Sequence, residues 1–87
     1  MNNLIDGLTN EVIPNASTAN IKAVAQAVVD NMKAYEKNPS YDYKAAGAKV
    51  KTMYDKLSSA EQTELKQLVM NNCYANDYLP LLSFFGF

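Results

Sequence analysis

The side chains able to carry chemistry in this sequence are one cysteine, eight lysines and nine carboxylates, with no histidine and no arginine. General acid–base catalysis near neutral pH most often uses histidine, and Ser-His-Asp or Cys-His arrangements require one. A lysine-centred enzyme, such as one forming a Schiff base, stays open on sequence alone, but nothing about the eight lysines favours it. We therefore expect a protein without catalytic activity.

The single cysteine, Cys73, is a poor candidate for a nucleophile. It falls late in a predicted helix, where the helix dipole disfavours a thiolate. A cysteine in that position is more typical of a small buried apolar side chain.

The sequence contains no recognisable metal or cofactor motif. One cysteine and no histidine exclude the usual zinc ligand sets. There is no EF-hand run with its closing glutamate, no G-x-G-x-x-G and no Walker A pattern. We expect neither a metal ion nor a cofactor.

Four lysines suggest a possible phosphate-binding stripe on the third predicted helix. They form two pairs with members seven residues apart, Lys44 with Lys51 and Lys49 with Lys56. Asp55 interrupts the stripe, and arginine, the preferred bidentate ligand of phosphate and guanine, is absent. With a formal net charge of −1, the pattern favours an ordinary solvated face over a nucleic-acid interface.

Apolar residues at helical spacing predict the elements that must position these groups. No segment shows the sustained alternation of a strand. We predict an all-α bundle of four helices with a short fifth at the C-terminal end, in one domain spanning residues 1–87. The three clearest stripes are Ile21, Val24, Ala25, Val28, Met32 and Tyr35; Tyr43, Ala46, Gly47, Val50, Met53, Tyr54 and Leu57; and Leu65, Leu68, Val69 and Cys73.

Capping residues and prolines predict the helix boundaries. The first helix has the signals Asn3 and Pro14, and the second has Ser17 or Thr18 at its start and Asn38 with Pro39 at its end. The third helix begins after Ser40 or Asp42, and the fourth has a Ser58–Glu61 capping box. The fifth has Asp77 as its cap and Pro80 in its first turn.

The second helix also carries a face of small side chains, which we expect to allow close packing of another helix. These residues are Ala19, Ala23, Ala27 and Ala34.

The C-terminal sequence NDYLPLLSFFGF is unusually apolar for a chain end. We expect Leu79, Leu82 and one phenylalanine to dock on the bundle. Tyr78 or Phe85, together with Phe87, would then face outward.

The tyrosines divide into two groups by their position relative to the stripes. Tyr35, Tyr43 and Tyr54 fall on apolar stripes and are predicted to lie in the core. The remaining aromatic residues are typical of interface hot spots. The predicted partner-binding residues are Tyr41, Tyr74, Tyr78, Phe85 and Phe87.

Composition also predicts a location. One cysteine rules out an intrachain disulfide, the first residues lack a basic n-region, and no apolar run approaches the length of a membrane helix. We expect a cytoplasmic protein without a membrane span.

These features together predict a small protein-binding module that acts stoichiometrically. Its size and helicity are similar to those of bacteriocin immunity proteins and phage-encoded inhibitors, but no motif carries that analogy. The Asp-Ser-Leu attachment motif of acyl carrier proteins is missing. The predicted partner is a host protein or a second copy of the chain. The alternatives are a self-assembling structural or scaffold subunit and, less favoured, a lysine-mediated nucleic-acid binder.

Overall fold

Five helices follow one another in the part of the chain that the structure describes. The computed structural model describes residues 3–85, the last two by their backbone alone. No strand occurs among these residues, and the predicted all-α bundle is confirmed. The helices are α1 in three consecutive segments, Leu4–Gly7, Leu8–Val12 and Ile13–Asn15; α2, Ala19–Lys37; α3, Tyr43–Asp55; α4, Ser59–Asn72; and α5, Ala75–Phe85.

Side-chain caps start the first four helices, as the sequence predicted. Each cap accepts a backbone N–H that has no partner within its helix. At α4 the box is reciprocal, because Glu61 also accepts the Ser58 N–H. The capping residues are Asn3 for α1, Thr18 for α2, Asp42 for α3 and Ser58 for α4.

Helix α1 does not end at Pro14, and that prediction was wrong. The Ile13 N–H donates to the Leu8 carbonyl, five residues back, which marks a widened π-type turn. In a regular α-helix the ring of Pro14 would clash with the carbonyl four residues earlier. Because the wide turn displaces the carbonyls just before Pro14, the helix continues to Asn15.

Helix α2 is the centre of the bundle and contacts α1, α3 and α4. The first half of its predicted stripe is buried, with Ile21, Val24, Ala25 and Val28 at most 1% exposed. Burying a valine or isoleucine side chain contributes about 1.5–3 kcal/mol. This stripe therefore supplies much of the apolar contact that holds the other helices in place.

The alanine face of α2 is packed only in part. Ala27 packs against the core, whereas Ala19 and Ala23 are exposed. Ala23 instead lines a small cleft of about 220 Å³, together with Met53 and Lys56. The buried small residues of helices α2 and α3 are Ala25 on α2 and Gly47 on α3.

Helix α5 begins at Ala75, three residues before the start implied by the predicted cap Asp77, and it exposes a different side. The N–H groups of Asp77 and Tyr78 both donate to the Tyr74 carbonyl, at 2.9 and 3.1 Å, and Pro80 lies inside the helix. Leu81 is buried and Tyr78 packs against the core, because residues three apart share a helix face.

One prediction about the C-terminal piece was wrong, because Leu79 is 55% exposed and does not dock on the bundle. Leu82 and Tyr78 are both half-buried. The expectation that Tyr78 or Phe85 faces outward together with Phe87 stays a prediction, because the side chain of Phe85 and all of Phe87 lie outside the described residues.

Two carboxylates of α4 fasten the link between α1 and α2. The Ser17 N–H and hydroxyl donate to Glu64 at 2.7 and 2.6 Å, and the Thr18 hydroxyl donates to Glu61 at 2.6 Å. These four residues form what we call the α1–α2 clasp. Hydrogen bonds from Thr18 and from Ser17 lower the pKa of Glu61 and of Glu64, respectively, because they stabilise the ionised carboxylates.

We expect the α1–α2 clasp to make the stability of the protein depend on acid pH. A carboxyl whose pKa is lower in the folded state stabilises the fold above its unfolded pKa, here near 4.5. That contribution to stability is lost as the pH falls through the lower pKa that the carboxyl has in the folded state. Urea unfolding at pH 7 and pH 3 should show this loss in the native chain and a smaller one in Glu64→Gln.

Glu11→Gln is the control for this experiment. It removes one carboxylate from α1 outside the clasp, so that the general effect of a lost charge can be subtracted. A Glu64→Gln chain that kept the full difference between pH 7 and pH 3 would contradict the clasp.

The orientation of α5 predicts opposite outcomes for two neighbouring leucines. Leu81→Ala should lower the free energy of unfolding by about 2–4 kcal/mol, because it leaves a cavity in the core. Leu79→Ala should change it by no more than about 0.5 kcal/mol, because that side chain is exposed. Denaturant unfolding of both variants measures the difference, and a larger loss for Leu79→Ala would show that α5 is rotated.

Candidate functional site

Two open clefts adjoin on the side of the bundle where the C-terminal half of α2 faces α1 and α5. They have volumes of about 510 and 430 Å³ and share Leu4, Met32 and Asp77. We call them together the α2–α5 groove. The first cleft adds Asn3, Ile5, Asp6, Glu36 and Asn76, and the second adds Asn31, Tyr35, Tyr43, Pro80 and Leu81.

Tyr35 and Tyr43 form an aromatic pair in the second cleft. Their rings meet edge to face, with centroids 5.1 Å apart and planes at 70°, a favoured arrangement of aromatic side chains. They are 46% and 38% exposed, so the prediction that both lie in the core was wrong. The two rings cover part of each other at the end of the α2 stripe, whereas Tyr54 is buried as predicted.

Asn31 brings a buried polar group to the second cleft. Its side chain is 7% exposed and is the only buried polar side chain in the described part of the chain. The Oδ1 atom is sealed from solvent and accepts no hydrogen bond from any described residue. An unpaired buried acceptor of this kind costs about 1–3 kcal/mol.

Three carboxylates give the groove a negative rim. Asp6, Glu36 and Asp77 line it, and among the described residues no lysine does. Asp6 is held by Asn3, whose Nδ2 donates to its carboxylate at 3.0 Å. Glu36 lies in the last turn of α2, where the partial negative charge of the helix end adds to its own.

None of the three tyrosines predicted to bind a partner lines this groove. Tyr74 is exposed, at 52%, in the link between α4 and α5. Tyr41 is half-buried before α3, and Tyr78 is half-buried on α5. The part that these residues play in binding stays a prediction.

The four lysines of the predicted phosphate-binding stripe are exposed, but they do not form one line. At 3.6 residues per turn, the pair Lys44 and Lys51 lies about 140° around the helix from Lys49 and Lys56. Lys51 forms an ion pair with Asp55 at 2.8 Å. Lys56 follows the last residue of α3 and lines the small cleft beside Ala23.

Cys73 is buried, as predicted, at the end of α4. Burial, with a smaller contribution from the charge of Asp77, raises the pKa of its thiol. The group is therefore a neutral thiol at neutral pH.

The described side chains form no cluster of three or more ligands placed to hold a metal ion. Within residues 3–85, no helix combines the length and apolar character needed to cross a bilayer.

Sequence reasoning missed Asn31, although the sequence carries a signal for it. Asn31 lies three residues after Val28 and four before Tyr35, so it occupies a position of the α2 stripe with a polar side chain. A polar residue on an otherwise apolar stripe marks either a buried hydrogen bond or a site. The acidic rim had no comparable signal, because its carboxylates come from three different helices.

Comparison with family models, with curated proteins and with solved structures finds no significant match to this chain.

We expect Asn31→Leu to stabilise the free protein. The substitution keeps a similar side-chain size and removes the unpaired acceptor, so the free energy of unfolding should rise by about 1–3 kcal/mol. Asn71→Leu, at an exposed position of α4, makes the same change in helix propensity and is the matched control. Chemical denaturation compares the two. Asn31→Leu that destabilised the chain would show that the amide has a hydrogen-bond partner in solution.

Proposed function

We propose that this chain is a small non-catalytic module that binds another protein through the α2–α5 groove, one partner for each chain. The observation that carries the proposal is the groove itself, with its exposed aromatic pair, apolar floor and polar rim. Interfaces commonly combine aromatic anchors at the centre with polar residues at the edge. A folded monomer gains little from leaving Tyr35 and Tyr43 exposed beside Met32 and Leu81.

The most specific form of this proposal is a stoichiometric inhibitor or immunity-type accessory protein of a phage or other mobile element, acting in the cytoplasm. Its support is compositional. Eight lysines, no arginine and ten asparagines fit an AT-rich coding sequence, and a single buried cysteine fits a reducing compartment.

A second candidate function is self-assembly through a different surface. Met70, Tyr74 and Leu79 are 46%, 52% and 55% exposed, and they lie on α4, on α5 or in the link between them. Exposed apolar side chains that follow one another along neighbouring elements favour contact with another chain. A second copy docked there would make the protein a structural or scaffold subunit.

Two substitutions at equally exposed positions separate these functions. Tyr35 and Met70 are both 46% exposed, one in the groove and one on α4. We expect the tagged full chain to capture a protein from its native cell at near-equal stoichiometry. Tyr35→Ser should weaken this capture at least about tenfold, as hot-spot tyrosines do, and Met70→Ser should leave it unchanged.

Sedimentation velocity of the purified chain completes the test. A monomer is expected for the native chain and for both variants. A dimer that only Met70→Ser dissociates would favour self-assembly through α4 and α5. Failure to capture any partner, with a monomer throughout, would contradict both functions.

A further inference from the structure

We propose that the partner presents a basic amphipathic helix to the α2–α5 groove, and that a lysine or arginine of this helix donates a hydrogen bond to Oδ1 of Asn31. This inference rests on the proposed function, because it names the chemistry of the partner at the same groove.

Asn31 brings an unpaired hydrogen-bond acceptor to the groove. Asn31 is more than nine-tenths buried, lines the groove and has an Oδ1 atom without a partner among the described residues. Rotation about the last side-chain torsion of asparagine has broad minima, so the amide can turn toward an incoming group at low cost. A carbonyl oxygen needs a donor, and lysine and arginine are the strongest donors that a protein partner can offer.

The surroundings of that acceptor are negatively charged. The three carboxylates of the rim and the C-terminal end of α2 make the groove negative, while the lysines of α2 lie outside its lining. A cationic segment would be attracted along the whole groove, and an acidic segment would be repelled. The apolar floor of Leu4, Met32 and Leu81 favours a segment that also carries an apolar face.

The shape of the groove also restricts the kind of ligand that it can bind. The groove is open along its length and bordered by helices, so it does not enclose a small molecule as most cofactor and metabolite pockets do. Residues 3–85 contain no strand, and the structure therefore offers no described sheet edge to an extended peptide. Of the common recognition modes, an amphipathic helix laid in a groove is the one that fits.

A second copy of the chain does not supply such a helix from its described part. Lysines occur on α2, α3 and α4. The apolar face of each of these helices is buried in its own core, with Val24 and Val28 on α2, Val50 and Tyr54 on α3, and Leu65 and Val69 on α4. A helix that already uses its apolar face cannot also place that face in the groove of another chain. The occupant that fits is a different protein.

A display library of random helical peptides tests the inference with the full-length chain as bait. Selection on the native chain, with Tyr35→Ser as the counter-selecting bait, isolates peptides that need the groove. We expect these peptides to be enriched in lysine and arginine next to leucine or phenylalanine and depleted in aspartate and glutamate. Selection on Glu36→Lys should reduce that basic enrichment.

The affinity of one selected peptide then tests the role of Asn31. Asn31→Leu should weaken binding at least about tenfold, although it stabilises the free protein, because a charge-assisted hydrogen bond is lost. Asn71→Leu should leave binding unchanged. Replacing each lysine or arginine of the peptide in turn by norleucine should identify one position whose loss is not additive with Asn31→Leu.

The outcomes separate this inference from the proposed function. Groove-dependent peptides that are neutral or acidic, or that bind Asn31→Leu as tightly as the native chain, would overturn the inference and leave the protein-binding function standing. Failure to recover any peptide that depends on Tyr35 would overturn both. Groove-dependent self-association in sedimentation velocity would make a second copy the occupant and overturn the inference.

Discussion

The buried amide of Asn31 is the constraint that best explains this structure. An acceptor that is closed to solvent and has no partner among the described residues lowers the stability of a small protein that has little to spare. Asn31 lies on α2, the helix that contacts α1, α3 and α4. A leucine at position 31 would continue the apolar stripe without that cost. The proposed complex would explain the asparagine, because its partner would supply the donor.

The buried apolar side chains of α2 offset the stability that the unpaired amide costs. Ile21, Val24 and Val28 are almost completely buried and join α1, α3 and α4 around one core. The α1–α2 clasp fixes the start of the same helix, far along the sequence from Asn31. Stability is thus concentrated in the first half of α2, and the second half is left to form the wall of an open groove.

Local signals in the sequence predicted local structure well. The caps at Asn3, Thr18 and Ser58 need only residues within one turn, and each forms as expected. The rotation of α5 was not predictable, because Leu79 and Leu81 are equally apolar and only packing against α3 and α4 chooses between them. Tyr35 illustrates the same limit, since its position on the stripe says nothing about where the covering helices end.

Only one part of the groove, the position of Asn31, was predictable from the sequence. The polar interruption of the α2 stripe at Asn31 is visible in the sequence, as is the concentration of tyrosines near it. The approach of Asp6, Glu36 and Asp77 is not visible, because these residues are far apart along the chain and meet only through the packing of α1, α2 and α5. Tertiary arrangement, which no local pattern encodes, thus creates the charge of the site.

A crystal structure of the full chain with a groove-binding peptide would test the central claim most directly. We expect a lysine or arginine nitrogen of the peptide at roughly 2.7–3.2 Å from Oδ1 of Asn31, the range of a hydrogen bond. The apolar residues of the peptide should lie against Met32, Tyr35 and Leu81. An Oδ1 atom that remained without a donor in the complex, or that accepted its hydrogen bond from this chain, would contradict the claim.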